Sequence, residues 1–413
     1  MANPILHIKD AYFFEVPKFL LPSNKTKPSD FPNIWLKLDP DVQRIEALEM
    51  ANAHPVPIAG GGKLSAEQSV QEWESWSHQD GNHGAPYEVF FADKDHGSIP
   101  QDVHMQAETT AIAQADEFTQ QWKDDGRLEW YNHHISGKIL IPQPFAELRN
   151  LHESESGFAI SKFMIIELAV AIIIFVLFSG LAKKIKTGEP VRGRFANFLE
   201  TFLLFVRDEI SRPSIGSDAD FHHGHDDDNH HDGDTPLTYK KADAMAPIFW
   251  TMFLFITGCN LFGLVPWAGS PTAVLGVTFA LAVAVFLTSL IAGSFMHGPI
   301  GFWLAQLPSM ELSFSIALFI KPMLWVIEVI GLFIKHGVLA IRLLANMVAG
   351  HIVLLSIMGM ATLAVGNLFF LIAPITIIGA VCIGLLELFV AFLQAYVFTL
   401  LSALFIGAAM HHH

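Results

Sequence analysis

LSFSIALFIKPMLWVIEVIGLFIKHGVLAIRLLANMVAGHI, residues Leu312 to Ile352, carries only four formal charges, Lys321, Glu328, Lys335 and Arg342, at successive intervals of seven. Seven residues of α-helix fall about 20° short of two full turns, so the four charges form one stripe on an otherwise lipid-compatible rod. A charge at the bilayer centre costs from about 3 to more than 10 kcal/mol, which confines such residues to pathways or to partners. Asn346 follows Arg342 by one turn on nearly the same face, whereas His351 lies about half a revolution round and roughly 13.5 Å along the axis. A second apolar stretch, Asn367 to Met410, holds Glu387 as its only charge, with Gln394 seven residues on along one stripe. Two long helices with sparse, ordered polar groups point to an ion route.

The segments IRLLANMVAGHIVL and LLELFVAFLQAYVFTLLSALFI, which contain Arg342, Asn346 and His351, then Glu387 and Gln394, resemble subunit a of F-type ATP synthase. The resemblance implies a non-catalytic stator subunit without cofactor, working beside a rotor ring of c subunits, peripheral stalk b subunits and the rest of the synthase. It also implies that Arg342 separates two half-channels. His351, Glu387 and Gln394 would line the outer half-channel, with Asn346 beside the arginine. Glu328 would serve the inner one, with Lys321 and Lys335 snorkelling or pairing with it. Many bacterial relatives have an acidic residue at the His351 position and a histidine at the Glu387 position; this chain has the exchanged order familiar from mitochondrial forms.

The 413 residues are 52% hydrophobic with a mean hydropathy of +0.39, but the average joins two unlike parts. Residues 1–160 hold twelve Lys/Arg against twenty-four Asp/Glu, most of the formal charge of −15. That balance excludes nucleic-acid binding by charge. Cys259 and Cys382 both sit in apolar runs, as small hydrophobes with no disulfide framework. The opening MANPILHIKDAYFFEVPKFLLP lacks the basic start and continuous apolar core of a cleavable signal, so the N-terminus is expected to be retained. ILHIKDAYFFEVP and GKILIPQPFAEL together look like the short segment before the first membrane helix of some bacterial relatives, split by about a hundred inserted residues. Within the insertion Ser65–Trp76 and Met105–Trp122 read as helix, whereas Ala51–Lys63 and Gly81–Pro86 read as loop. A small α-rich domain follows. Its scattered histidines lack zinc-motif spacing.

Phe163 to Ala182 is the first span, long enough for a hydrocarbon core of roughly 30 Å. Lys183, Lys184, Lys186, Arg192 and Arg194 follow it, so the positive-inside rule puts residues 1–160 outside the cytoplasm. Arg194 to Arg212 shows one broad apolar face, as in a helix lying on the cytoplasmic interface, and Pro213 is expected to end it. Residues 217–235 enclose DADFHHGHDDDNHHDGD, a His/Asp-rich stretch that cannot bury a core and reads as a mobile cytoplasmic loop without a metal site. Ala246–Trp267 and Thr272–Met296 are the next spans. In the first of them Asn260-Leu-Phe-Gly-Leu-Val-Pro266 resembles a family signature, and Asn260 is read as polar glue between helices.

Hydropathy alone would allow two spans broken at Lys335-His336-Gly337. The resemblance implies instead one helix of about 72 Å from Ser313 to Met360, inclined about 65° to span the bilayer. It would pair with another from Asn367 to Ala409, and Pro322 would bend or interrupt its first turns. The fold class is thus an all-α integral membrane protein. It has about five membrane-embedded helices, one interfacial helix and an inclined C-terminal hairpin in residues 161–413, preceded by the acidic region 1–160. A bacterial-type cell membrane with the C-terminus inside is the expected setting. The rival class is a secondary transporter with Arg342 as substrate clamp, but no second copy of the charged stripe accompanies it.

Overall fold

The computed structural model describes residues 10–56, 63–79, 82, 85–94, 98–185, 193–215, 237–265, 268–305, 314–363 and 367–410. The His/Asp-rich segment 218–234 and the terminal histidines lie outside them. Ala11–Ile160 form one compact unit, and the chain from Ser161 onward, joined by Asp10, forms another.

In the first unit β1 (Phe13–Glu15) pairs antiparallel with β2 (Lys138–Leu140), Phe13 opposite Leu140 and Glu15 opposite Lys138. The two segments that resemble one interrupted element therefore meet in space. Between them run α1 (Asn33–Leu36), α2 (Pro40–Ala53), α3 (Ala66–Ser77), α4 (Tyr87–Asp93), α5 (Gln101–Gln114), α6 (Thr119–Asp124) and α7 (Arg127–Ile135). α3 starts at a capping box. The Ser65 hydroxyl accepts from the Gln68 amide and the Gln68 carboxamide accepts from the Ser65 amide, both at 3.3 Å. The expected Met105–Trp122 helix begins earlier, at Gln101, and tightens into a 3₁₀ turn over Ala115–Phe118 before α6. α2 also runs two residues past the expected loop boundary at Ala51.

Two apolar cores hold this unit, one around Trp35, Trp122 and Tyr131, the other around Trp73, Trp76 and Phe90. Asp39, fully buried, caps α2 through the Asp41 amide at 3.0 Å and meets Arg127 at 3.3 Å. It also accepts the Tyr131 hydroxyl at 2.8 Å. Burial and then the neighbouring Asp39 carboxylate push the Tyr131 hydroxyl well above its ordinary range, so it stays a donor. β3 (Ala146–Asn150) and β4 (Glu153–Gly157) form a hairpin before the membrane part.

Among its described residues the second unit has five helices long and apolar enough to cross a membrane. α8 (Lys162–Ile185) is the first, and α9 (Arg194–Phe205) follows with Phe195 and Phe198 exposed. Pro213 does not end that helix. A π-helical stretch, Val206–Ser211, leads directly into α10 (Arg212–Ile215), so the proline follows the wider turn instead of breaking a regular i→i+4 ladder. α11 (Leu237–Leu264) holds this assembly in place. Trp250 Nε1 donates to the Leu203 carbonyl at 2.8 Å, Ser211 Oγ to the Ala242 carbonyl at 2.6 Å, and Arg212 grips Asp243 with two bonds of 2.9 Å.

A 3₁₀ turn, Pro271–Ala273, connects to α12 (Leu275–His297), and α13 (Pro299–Ala305) precedes the hairpin of α14 (Phe314–Leu363) and α15 (Asn367–Met410). α14 has 50 residues and runs through both Pro322 and Lys335-His336-Gly337 without interruption. The two-span alternative fails at His336. Its Nδ1 bonds back to the Leu332 carbonyl at 2.8 Å, and its ring packs between Phe286 and Phe405. The imidazole thus serves as core and not as a helix break. Phe249, Ile256, Leu339, Leu343 and Phe398 fill the common core. Small residues allow close backbone approach there: a side-chain carbon at Gly407 would collide with the Ser214 carbonyl.

Candidate functional site

The charged stripe stays separated. Lys335 is exposed, while Lys321, Glu328 and Arg342 are half-buried. Neither lysine pairs with Glu328 among the described residues, which leaves snorkelling of the two expected arrangements. Residues seven apart stand about 10.5 Å apart along the axis, whereas only i,i+3 and i,i+4 neighbours meet on one helix. Arg342 likewise makes no ion pair or hydrogen bond among the described residues. Beside it on α14 Val338 and Ile341 are exposed.

A face of α14 that begins beside the stripe at Asn346 and reaches round to His351 engages α15 in antiparallel register, stepping forward on one helix as it steps back on the other. His336 meets Phe405, Asn346 meets Gln394 and His351 meets Glu387. Asn346 Nδ2 donates to Gln394 Oε1 at 2.6 Å, and the Gln394 amide nitrogen has no acceptor among the described residues. Both residues follow Arg342 toward the far end of the hairpin, so they form a neutral polar step between the guanidinium and the His351–Glu387 pair.

His351 Nδ1 lies 2.8 Å from Glu387 Oε1 and 2.9 Å from the Met347 carbonyl, while Nε2 lies 3.1 Å from the Gly263 carbonyl at the end of α11. Both ring nitrogens therefore face oxygen acceptors. A neutral imidazole has one N–H for these contacts, and a proton arriving on the ring finds an acceptor already in place. Glu387 is 5% exposed and lies against Gly350, where a Cβ would approach Oε1 to 2.9 Å. The absent side chain is what admits the carboxylate.

A second polar thread runs beside the first. Asn260, fully buried on α11, donates to the Ala391 carbonyl of α15 at 3.1 Å and accepts from the Thr272 hydroxyl at 2.7 Å. Thr272 and Ser270 are hydroxyl neighbours at 2.9 Å, and Ser270 packs against Gly263, the residue whose carbonyl meets His351. Asn260 thus links three segments. The hydroxyls of Ser270 and Thr272 are not legible in the sequence, because serine and threonine in a loop carry no signal until the fold buries them. Outside the expected set, His336 is buried and Glu167 partly so, each with one enclosed atom that has no hydrogen-bond partner among the described residues. No group of three metal-ligating side chains occurs among the described residues, and Cys259 and Cys382 are free.

The ATP synthase A chain family matches residues 234–407, the part that carries all of these contacts. The chain is 34% identical over 298 residues to the ATP synthase subunit a of Chloroherpeton thalassium, covering 70% of this chain and 78% of that one. The subunit a of Myxococcus xanthus is 38% identical over 231 residues, 55% of this chain and 66% of its own length. That of Chlorobium phaeobacteroides is 34% identical over 289 residues, 68% and 74% of the two chains. With five apolar spans, a continuous C-terminal hairpin and this similarity, the chain belongs to the ATP synthase subunit a family, as a membrane component of the FO sector.

Proposed function

We propose that this subunit is the proton-translocating stator of its synthase, with Arg342 between an outer half-channel containing His351, Glu387 and Gln394 and an inner one containing Glu328. The observation that carries the reading is the half-buried Arg342, which has no anionic partner among the described residues and is flanked by exposed apolar side chains. A guanidinium held partly out of water in an apolar span needs a carboxylate, and here that carboxylate comes from another chain. A rotor ring of c subunits supplies one per subunit at mid-membrane depth. Protonated, that carboxyl is neutral and can face lipid; ionised, it needs a fixed cation beside it. Arg342 suits the task because its guanidinium stays charged at any accessible pH. Asn346 and Gln394 orient the passage, and the chain itself breaks no covalent bond.

The membrane subunit should copurify with a c ring, peripheral stalk b subunits and an ATPase head in mild detergent. Recovery as a free-standing monomer from gently solubilised membranes would refute the stator role.

The five cations from Lys183 to Arg194, at and beyond the inner end of α8, support an extracytoplasmic Ala11–Ile160 unit and a cytoplasmic C-terminus in a bacterial-type cell membrane. A cysteine replacing Ser217, in a background lacking Cys259 and Cys382, should react with an impermeant thiol reagent only from the cytoplasmic side. Labelling from outside would reverse the orientation and exchange the two half-channels.

A further inference from the structure

Glu167 lies five residues into α8, about 7.5 Å from the start of the first span. One of its carboxylate oxygens is sealed from solvent with no hydrogen-bond partner among the described residues. A carboxyl group in an apolar span without a partner is costly, and such groups are retained where they handle ions. Its surroundings are tightly drawn. One turn outward, Phe163 packs on Gly269, where a Cβ would come to 2.9 Å of the ring. One turn inward, Val170 packs on Gly258 of α11, where a Cβ would come to 2.7 Å of Cγ1.

Phe163, Ile166 and Val170 are the buried face of α8, and Glu167 sits on its flank. α8 and α11 are antiparallel neighbours, so Glu167 faces the turn of α11 that follows Gly258 and leads to Gly263. It is within electrostatic reach of Cys259 in that turn and of Asp10, just before the extramembrane unit. The Gly263 carbonyl meets His351 Nε2, and the other side of that imidazole meets Glu387. Inward from the start of the first span, where Lys162 is buried, the titratable groups run from Asp10 and Glu167 to His351 and Glu387.

We propose that Glu167 is the outermost intramembrane proton carrier of the outer half-channel, delivering protons through water to the His351–Glu387 pair. The inference rests on the stator reading above. Glu167 takes a proton from outside water and gives it to the imidazole side of the pair, returning to the carboxylate, so no other reactant is consumed. Placing it on α8 makes the first span part of the conduction path and not merely an anchor.

The test uses the intact synthase reconstituted in liposomes, with Glu167→Gln and Glu167→Asp compared for proton-driven ATP synthesis and for proton flux through the membrane sector. Glu167→Gln keeps the shape and should lower both rates about tenfold with normal assembly. Glu167→Asp, or millimolar formate added on the outer side of the Gln variant, should restore most of the loss. Undiminished flux in Glu167→Gln overturns the proposal, as does a loss that neither aspartate nor formate repairs. Failure of both variants to assemble also overturns it, by making Glu167 a packing residue. Glu387→Gln in parallel separates the two levels: if it stops flux while Glu167→Gln does not, the stator reading survives and only Glu167 is misassigned. If neither affects flux, the stator reading itself falls.

Discussion

Replacing Arg342 with alanine is expected to abolish proton-driven ATP synthesis by the reconstituted complex while leaving ATP hydrolysis by the detached soluble head at its normal rate. A cation about 4 Å from a ring carboxylate contributes on the order of 4 kcal/mol at an effective dielectric constant near 20, or roughly a thousandfold in the equilibrium that releases the proton. Without it release of the proton is no longer tied to passage of the carboxyl past one fixed point, and proton movement is uncoupled from ATP synthesis. The same gap should let the membrane sector leak protons in a ring-dependent manner, because no fixed charge then separates the half-channels. Arg342→Lys should fail as well: an ammonium can give up its proton in a dry site and cannot reproduce the planar fork of a guanidinium. The measurements are ATP synthesis under an imposed proton gradient and passive proton flux with and without the ring. Near-normal synthesis by a fully assembled alanine variant would reduce Arg342 to a structural charge.

Much of this architecture is legible in the sequence, and the reasons differ from residue to residue. The spans are read from hydropathy because backbone groups in lipid must bond within the segment, which leaves the helix as the only economical form for long apolar runs. Lys321, Glu328, Lys335 and Arg342 declare their shared stripe by spacing alone. The expected helix from Ser65 does start there, and the folded chain shows a capping box with Gln68 fixing it. The continuity of α14 is another matter, since Lys335-His336-Gly337 looks like a break until the folded chain shows His336 stacked against Phe286 and Phe405.

Other features depend on contacts that no local pattern encodes. β1 and β2 pair three residues each across more than a hundred positions, too short for a strand signal. The π-helical stretch before Pro213 is held by Arg212–Asp243, Ser211–Ala242 and Trp250–Leu203, all reaching α11 from a distant part of the chain. Glu167 is visible in the sequence as one acid in a span, but its relation to Gly258, Gly263 and His351 appears only when α8 lies against α11. Polar residues in the membrane are therefore easy to find from sequence, while their partners are not.

The second large effect is expected at His351 and Glu387, where exchanging the two residues should retain at least tenfold more proton-driven ATP synthesis than either half of the exchange. His351→Glu alone sets a second carboxylate beside Glu387, and two such groups at this distance cannot both ionise readily. Glu387→His alone sets two imidazoles together and removes the acceptor that Nδ1 faces at 2.8 Å. The double exchange restores one imidazole and one carboxylate in the same crossing of α14 and α15. Residues in direct contact show coupling energies of about 0.5–3 kcal/mol, so a recovery of tenfold, about 1.4 kcal/mol, lies within the ordinary range. Gly350 supplies an internal control. Gly350→Ala places a methyl 2.9 Å from Glu387 Oε1, which should displace the carboxylate by a few tenths of an ångström and slow flux without changing the charge of the pair. Rates should be measured on complexes shown to contain equal amounts of ring and subunit. If the double exchange is as impaired as the sum of its singles in free energy, His351 and Glu387 act independently, and their 2.8 Å contact has no part in carrying protons.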